Sequence, residues 1–174
     1  MEKYIRDLTT IIRDCNMENT YKMSWVRSLV ELSVKHPQKK HIHFNDLSPL
    51  IFKYYWNQTL FFNLNQGPNP LKKPEIHQIV LKEIDKYQKN FGYKPEFYTR
   101  VQDRINIDIV KISKTLEKDV SHRFLKVGKK EYPIYELDRK NLCLKLHHPG
   151  LLKEYSDILF ELINYKWVQK LEKL

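Results

Sequence analysis

The chain has 174 residues, with 31 Lys and Arg against 21 Asp and Glu, a formal charge of +10 at pH 7. A hydrophobic content of 41%, with 13% aromatic, supplies a core for about one domain and excludes a disordered or collagen-like chain. The four glycines, at positions 67, 92, 128 and 150, are too dispersed for a phosphate loop or a dinucleotide fingerprint, which excludes the common P-loop and Rossmann enzymes.

In chain order, Ile5, Leu8, Ile11 and Ile12 recur at helical spacing and predict a helix from Tyr4 to about Cys15. Asn19 or Thr20 offers an N-cap to a second helix, Tyr21 to about Lys35, with Trp25, Val26, Leu29, Val30 and Leu32 inward and Pro37 as its stop. His41 to Phe44 alternates polar and apolar as a short strand does. Asn45 or Ser48 is the expected cap of a third helix, with Pro49 in its first turn and Leu47, Leu50, Ile51, Tyr54 and Tyr55 along it. Asn63 to Pro74, rich in Gly, Pro and Asn, reads as a loop and as the place where the chain would subdivide.

A fourth helix is expected from Pro74 to about Asn90, followed by a break at Gly92–Pro95. The longest pattern, Val101 to Phe124, spaces Ile105, Ile109, Ile112, Leu116 and Val120 three or four apart and predicts one long helix with a core seam. Tyr132 to Leu146 then alternates in period two on either side of Asp138–Asn141, which predicts a single β-hairpin at about 131–147. Leu151 to Leu174 reads as a final amphipathic helix. The expected fold is mainly α, a single domain over 1–174 with about six helices and one small hairpin.

Charged residues interrupt the first helix, so no signal-peptide core is seen, and no window approaches the ~18 apolar residues of a membrane span. Cys15 and Cys143 lie in no C-x-x-C spacing. These features predict a cytoplasmic protein with reduced cysteines and no membrane partner.

Constellations that carry chemistry are sparse. His41 and His43 have the i, i+2 spacing of strand ligands but lack further ligands, as do His147 and His148, so no metal and no cofactor is expected. Asp138-Arg-Lys140 matches the acid-x-Lys end of a metal-dependent nuclease core, in which two acids hold a cation and the lysine steadies the attacking water. Here the triplet falls at a predicted turn, with Glu131 or Asp119 as poor upstream acids. No G-x-S-x-G elbow is present. Catalysis by this chain alone is not expected.

The absence of alanine and an excess of 24 lysines over 7 arginines fit an AT-rich coding bias, so the placement of charge says more than its total. Lys35, Lys39, Lys40 and His41 gather around the short strand, Lys72 and Lys73 follow the Pro-rich loop, and Arg123, Lys126, Lys129 and Lys130 precede the hairpin. Cations so placed neutralise phosphates and confer salt-dependent affinity without sequence information. A strand, a polar-capped helix and a basic hairpin are also the parts of a winged helix-turn-helix. Its reader would be helix 21–35, with Lys22 and Arg27 on the polar side, or helix 46–61, with Lys53 and Asn57. The aromatics Phe52, Tyr54, Tyr55, Trp56, Phe61 and Phe62 are either stacking faces for single-stranded bases or core, and their spacing along one helix favours core.

The stretch Asn19-Thr-Tyr-Lys-Met-Ser-Trp-Val-Arg-Ser-Leu-Val-Glu-Leu resembles the opening helix of the region that precedes the nuclease domain in bacterial HNH restriction-type endonucleases. Ile42 to Asp46 leading into Tyr54-Tyr55-Trp56, then Tyr132-Pro-Ile-Tyr135, then Tyr165-Lys-Trp-Val-Gln-Lys-Leu-Glu172 are similar to its later parts. The resemblance implies a DNA-directed role in restriction or phage defence. Cutting would fall to a separate nuclease domain or subunit, because no His-Asn-His on a ββα pattern occurs in these residues. Double-stranded DNA is the partner so implied. Two alternatives stay open: a protein-interaction subunit whose aromatic helices dock a nuclease or another defence protein, and a small metal-dependent nuclease using Asp138 and Lys140.

Overall fold

No residue between Tyr21 and Ser33 is fully exposed, because the helix they form is enclosed by the rest of the chain. The computed structural model describes residues 2–174 and runs α1 (Lys3–Asp14), α2 (Tyr21–Lys35), β1 (His41–His43), α3 (Phe44–Phe62), α4 (Glu75–Phe91), α5 (Tyr98–Val101), α6 (Ile109–Leu116), β2 (Lys126–Val127), β3 (Lys130–Glu131), β4 (Tyr135–Asp138), β5 (Cys143–Leu146), α7 (Pro149–Glu154) and α8 (Ser156–Leu171). The fold is mainly helical with small antiparallel sheets, and among the described residues it has eight α-helices where about six were expected. One hydrophobic cluster runs from Ile5 to Trp167, so the 63–74 loop does not divide the core.

The stripe Ile5, Leu8, Ile11 and Ile12 buries α1 as its spacing predicts. α2 and α3 lie side by side at the centre and contribute Trp25, Phe44, Phe52, Tyr55 and Trp56, all fully buried. Trp25 meets Phe44 edge-on at 5.2 Å, and Trp56 meets Tyr87 of α4 edge-on at 5.6 Å. Such pairs add about 0.5–1.5 kcal/mol each beyond the area they bury. The aromatic helix is therefore core along most of its length; Phe61 is half-buried against Phe97 and only Phe62 is well exposed.

α3 begins earlier than its sequence suggests. His43, the last residue of β1, is its cap: the imidazole Nδ1 accepts the Asn45 N–H at 3.1 Å, while Asp46 Oδ2 accepts the His43 N–H at 3.2 Å. Ser48, an expected cap, is instead buried and donates to the Phe44 carbonyl, and Pro49 lies inside the helix. The N-terminal boundary is set by β1, whose pairing with a distant strand delivers His43 to this place. The 63–74 loop is tied to the core by Gln66, whose Oε1 accepts the Thr20 hydroxyl at 2.7 Å. Gly67 is required where the loop turns, since a Cβ there would stand 2.6 Å from Pro74 Cγ.

The expected long helix over 101–124 is not continuous. α5 passes through a 3₁₀ turn at Gln102–Arg104, residues 105–108 form no helix, and α6 starts only at Ile109 before widening into a π turn at Glu117–Ser121. Asp108 causes the late start, its carboxylate accepting the Lys111 N–H at 3.0 Å as a cap. Ile105 and Ile107 pack on the core as alternate residues of this non-helical segment, a pattern the helical spacing conceals. In the π turn the Ser121 carbonyl accepts the Tyr135 hydroxyl at 2.5 Å, and that hydroxyl accepts from Trp25 Nε1 at 3.0 Å. This chain of bonds ties β4 to α2.

The hairpin is also richer than expected. β4 and β5 pair antiparallel, and β1 joins the far edge of β5 to give the order β1-β5-β4. Ile42, Leu144 and Leu137 lie opposite one another on the inner side; His41, Lys145 and Glu136 share the outer side with His43, Cys143 and Asp138. A second hairpin, β2–β3, turns at Gly128 with φ +59°. The final helix is broken at Tyr155 into α7 and α8, with Pro149 in the first turn of α7.

Candidate nucleic-acid interface

The sequence-predicted cations separate into those engaged in the fold and those left to solvent. On α2, the half-buried Lys22 donates to the Asn16 carbonyl at 2.7 Å, and burial lowers its pKa. Arg27 hydrogen-bonds Asn164 of α8, with its guanidinium carbon 5.2 Å from the Tyr54 ring centre and 5.3 Å from that of Phe160. It is a stitch between three helices. Lys35 and Lys53 both converge on Glu31, at 2.8 and 2.7 Å, and the Tyr54 hydroxyl donates to the same carboxylate at 2.5 Å. Burial alone would raise the Glu31 pKa, but the bonds from Lys35, Lys53 and Tyr54 prevail and hold it at about 2. Asn57 accepts the Tyr98 N–H at 2.9 Å.

These contacts correct the expected reader helices. From α2, only Val34 and Lys35 are fully exposed, and from α3 only Asn45 and Phe62, so neither presents a solvent face to a groove. Lys39 is paired with Asp46 at 2.8 Å. Lys40 and His41 are exposed at the start of β1, with Lys145 opposite His41 on β5. Lys72 and Lys73 stay on the 63–74 loop. Arg123, Lys126, Lys129 and Lys130 come together around the β2–β3 hairpin, all exposed, with Lys130 Nζ 4.7 Å from the Tyr132 ring centre.

Asp138 and Lys140 stand at the β4–β5 turn. Asp138 accepts from Asn141 through its side chain at 2.7 Å and its backbone N–H at 3.1 Å, and these bonds hold its carboxyl below the usual range. The carboxylate serves the turn, as its polar sequence suggests. Among the described residues, no three His, Cys, Asp or Glu side chains converge as metal ligands would. Cys15 is buried and Cys143 half-buried, both as free thiols. No helix among the described residues is long and apolar enough to cross a membrane.

Sequence reasoning passed over another set of cations. Lys111, Lys114 and Lys118 lie on the outer side of α6 and its π turn and are exposed. Lys111 is loosely paired with Glu75 at 3.6 Å. At the end of α6, Arg139 of the β4–β5 turn contacts Glu117 at 2.6 Å and sets the hairpin tip beside this lysine row. A groove of about 430 Å³ runs between α4 and residues 106–111, with Lys82, Lys86 and Lys111 on its rim. The signal was present in the sequence: Ile109-Val-Lys-Ile-Ser-Lys-Thr-Leu116 is lysine-bearing and free of acids. It is masked by the isoleucine spacing, which predicts one long helix with a core seam over 101–124. Comparison with protein-family models finds no match, and comparisons with the curated proteins and with the solved structures find no significant match either.

Proposed function

We propose that this chain is a DNA-binding module of a restriction or phage-defence system, holding duplex DNA through lysines while a separate domain or subunit cuts. The observation that carries this reading is the pairing of an exposed basic hairpin, Arg123 to Lys130, with a net charge of +10 and with a sheet ordered β1-β5-β4. A strand between two helices that closes on the second strand of a later hairpin is the connectivity expected of a winged helix-turn-helix. The defence context and the separate nuclease rest on the resemblance to the HNH endonuclease region. Binding to random-sequence duplex over a salt series tests the reading. Log affinity should fall linearly with log salt, with a slope of about −0.9 per phosphate neutralised. A flat dependence, or no binding at low salt, overturns it.

A protein-interaction subunit is the second reading. It has its own support in α8, which leaves Ile158, Tyr165 and Val168 60%, 61% and 52% exposed on one side.

A further inference from the structure

The cations that remain available in this fold are not spread evenly, and the helices differ in what they offer. Among helices of eight or more residues, α1, α2, α3, α4 and α8 each carry acids, and several of their lysines pair with them, as Lys3 with Asp7, Lys86 with Glu83 and Lys89 with Asp85. α6 carries none. Its inner side, Ile112, Ser113, Thr115 and Leu116, is buried on α3, and Ser113 is fixed there by bonds to Ser48 and Asn45 at 2.9 and 2.8 Å. Its outer side holds Val110, Lys111 and Lys114, and the π turn continues that row with Lys118. Positions three, four and seven apart face one way. Lys114 and Lys118 make no ion pair among the described residues.

We infer that α6 with its π turn is the element that enters the major groove of duplex DNA, with the Asp138–Asn141 turn alongside it as the wing. The inference rests on the DNA-binding reading and deepens it by replacing the two central helices as readers. From Ile109 to Ser121 the element spans about 20 Å at 1.5 Å per residue, enough to lie in a groove about 12 Å wide. Lys114 and Lys118 meet phosphates or base edges from within the groove. Arg139, held to Glu117, and the neighbouring Lys140 place the turn over the flanking backbone. The partner is a polyanion of regular groove geometry, which suits a rigid helix with a lysine row better than it suits a flexible single strand.

The test compares the wild-type chain with K114A/K118A and with K3A/K89A, whose lysines lie in exposed ion pairs on α1 and α4. Anisotropy measures affinity for a labelled duplex across a salt series, and circular dichroism melting checks folding. K114A/K118A should bind about tenfold or more weakly, with a salt slope shallower by about two, and melt like the wild type. K3A/K89A should match the wild type in all three. A duplex whose major groove is filled by glucosylated hydroxymethylcytosine should lose wild-type binding about tenfold. If the wild type binds but K114A/K118A keeps its affinity and slope, or the filled groove binds normally, α6 is not the reader while the DNA-binding reading stands. If the wild type binds no duplex at low salt, that reading falls and this inference with it.

Discussion

α2 and α6 both carry cations, yet they use them in opposite ways. Lys22, Arg27 and Lys35 of α2 are taken up by a carbonyl, an amide flanked by two rings, and a shared carboxylate. Lys114 of the acid-free α6, and Lys118 beyond it, are exposed and make no ion pair among the described residues. The difference comes from burial. A helix enclosed on all sides must satisfy each polar group locally, because an unpaired buried charge is costly. A helix packed on one side leaves its other side free for a partner. Charge in a sequence therefore becomes an interface only where the fold has no internal use for it.

That contrast can be broken at several places. The largest effect is expected from Trp25→Ala, which empties the centre of α2 and leaves the Tyr135 hydroxyl without its indole donor. It should cost about 3–5 kcal/mol of unfolding free energy in a denaturant titration. A loss below about 1 kcal/mol would mean that α2 is not the centre of the fold.

Next comes acid sensitivity at His77, 1% exposed and with Nδ1 unpartnered. Burial, assisted by Lys73, lowers its pKa from 6.5 to about 4. The folded state thus resists a proton that the unfolded chain accepts. Stability should be full above about pH 6.5 and decline by about 1–3 kcal/mol as pH falls towards 4. His77→Phe should flatten that limb in melting curves taken at successive pH values; an unchanged limb would remove His77 as its source.

Glu31 acts lower. Its pKa is about 2 in the fold against an ordinary 4.5, so its contribution is present above about pH 4.5 and is lost on the way down to 2. Glu31→Gln should cost about 1–2 kcal/mol at neutral pH by leaving Lys53 and Tyr54 without their anion. It should also make the acid decline between pH 4.5 and 2 shallower. Lys129→Ala, at the exposed β2–β3 turn, marks the other extreme. Its unfolding free energy in the same denaturant titration should stay within about 0.5 kcal/mol of the wild type.

The parts of the fold legible in the sequence are those governed by local periodicity. α1, α2 and α4 follow the spacing of their apolar residues, and Asp138–Asn141 turns where its polar residues say it should. The misread parts depend on contacts far along the chain. α3 starts at Phe44 because β5 holds β1, and no residue near position 44 announces this. Residues 101–124 break because Asp108 caps and Tyr135 draws out a carbonyl, though their isoleucines keep helical spacing. The candidate interface is affected in the same way. Lys35, Lys39 and Lys53 stand free in the sequence, but the fold brings Glu31 and Asp46 to them, and nothing in the apolar stripe of 101–124 singles out Lys114 and Lys118.

The register of His41 with Lys145 joins points about a hundred residues apart in the chain. Closing such a span costs entropy before any strand contact repays it, so the β1-β5-β4 sheet should assemble after the helices of the first half. Until β5 has been synthesised, the inner residue Ile42 has no Leu144 opposite it, and the His43 cap of α3 has no paired strand behind it. During synthesis, the β4–β5 hairpin beside α6 is therefore absent while α1 to α4 can already form. On the proposed DNA-binding reading, competence to hold duplex would be acquired in that last stage of folding, when the hairpin is completed.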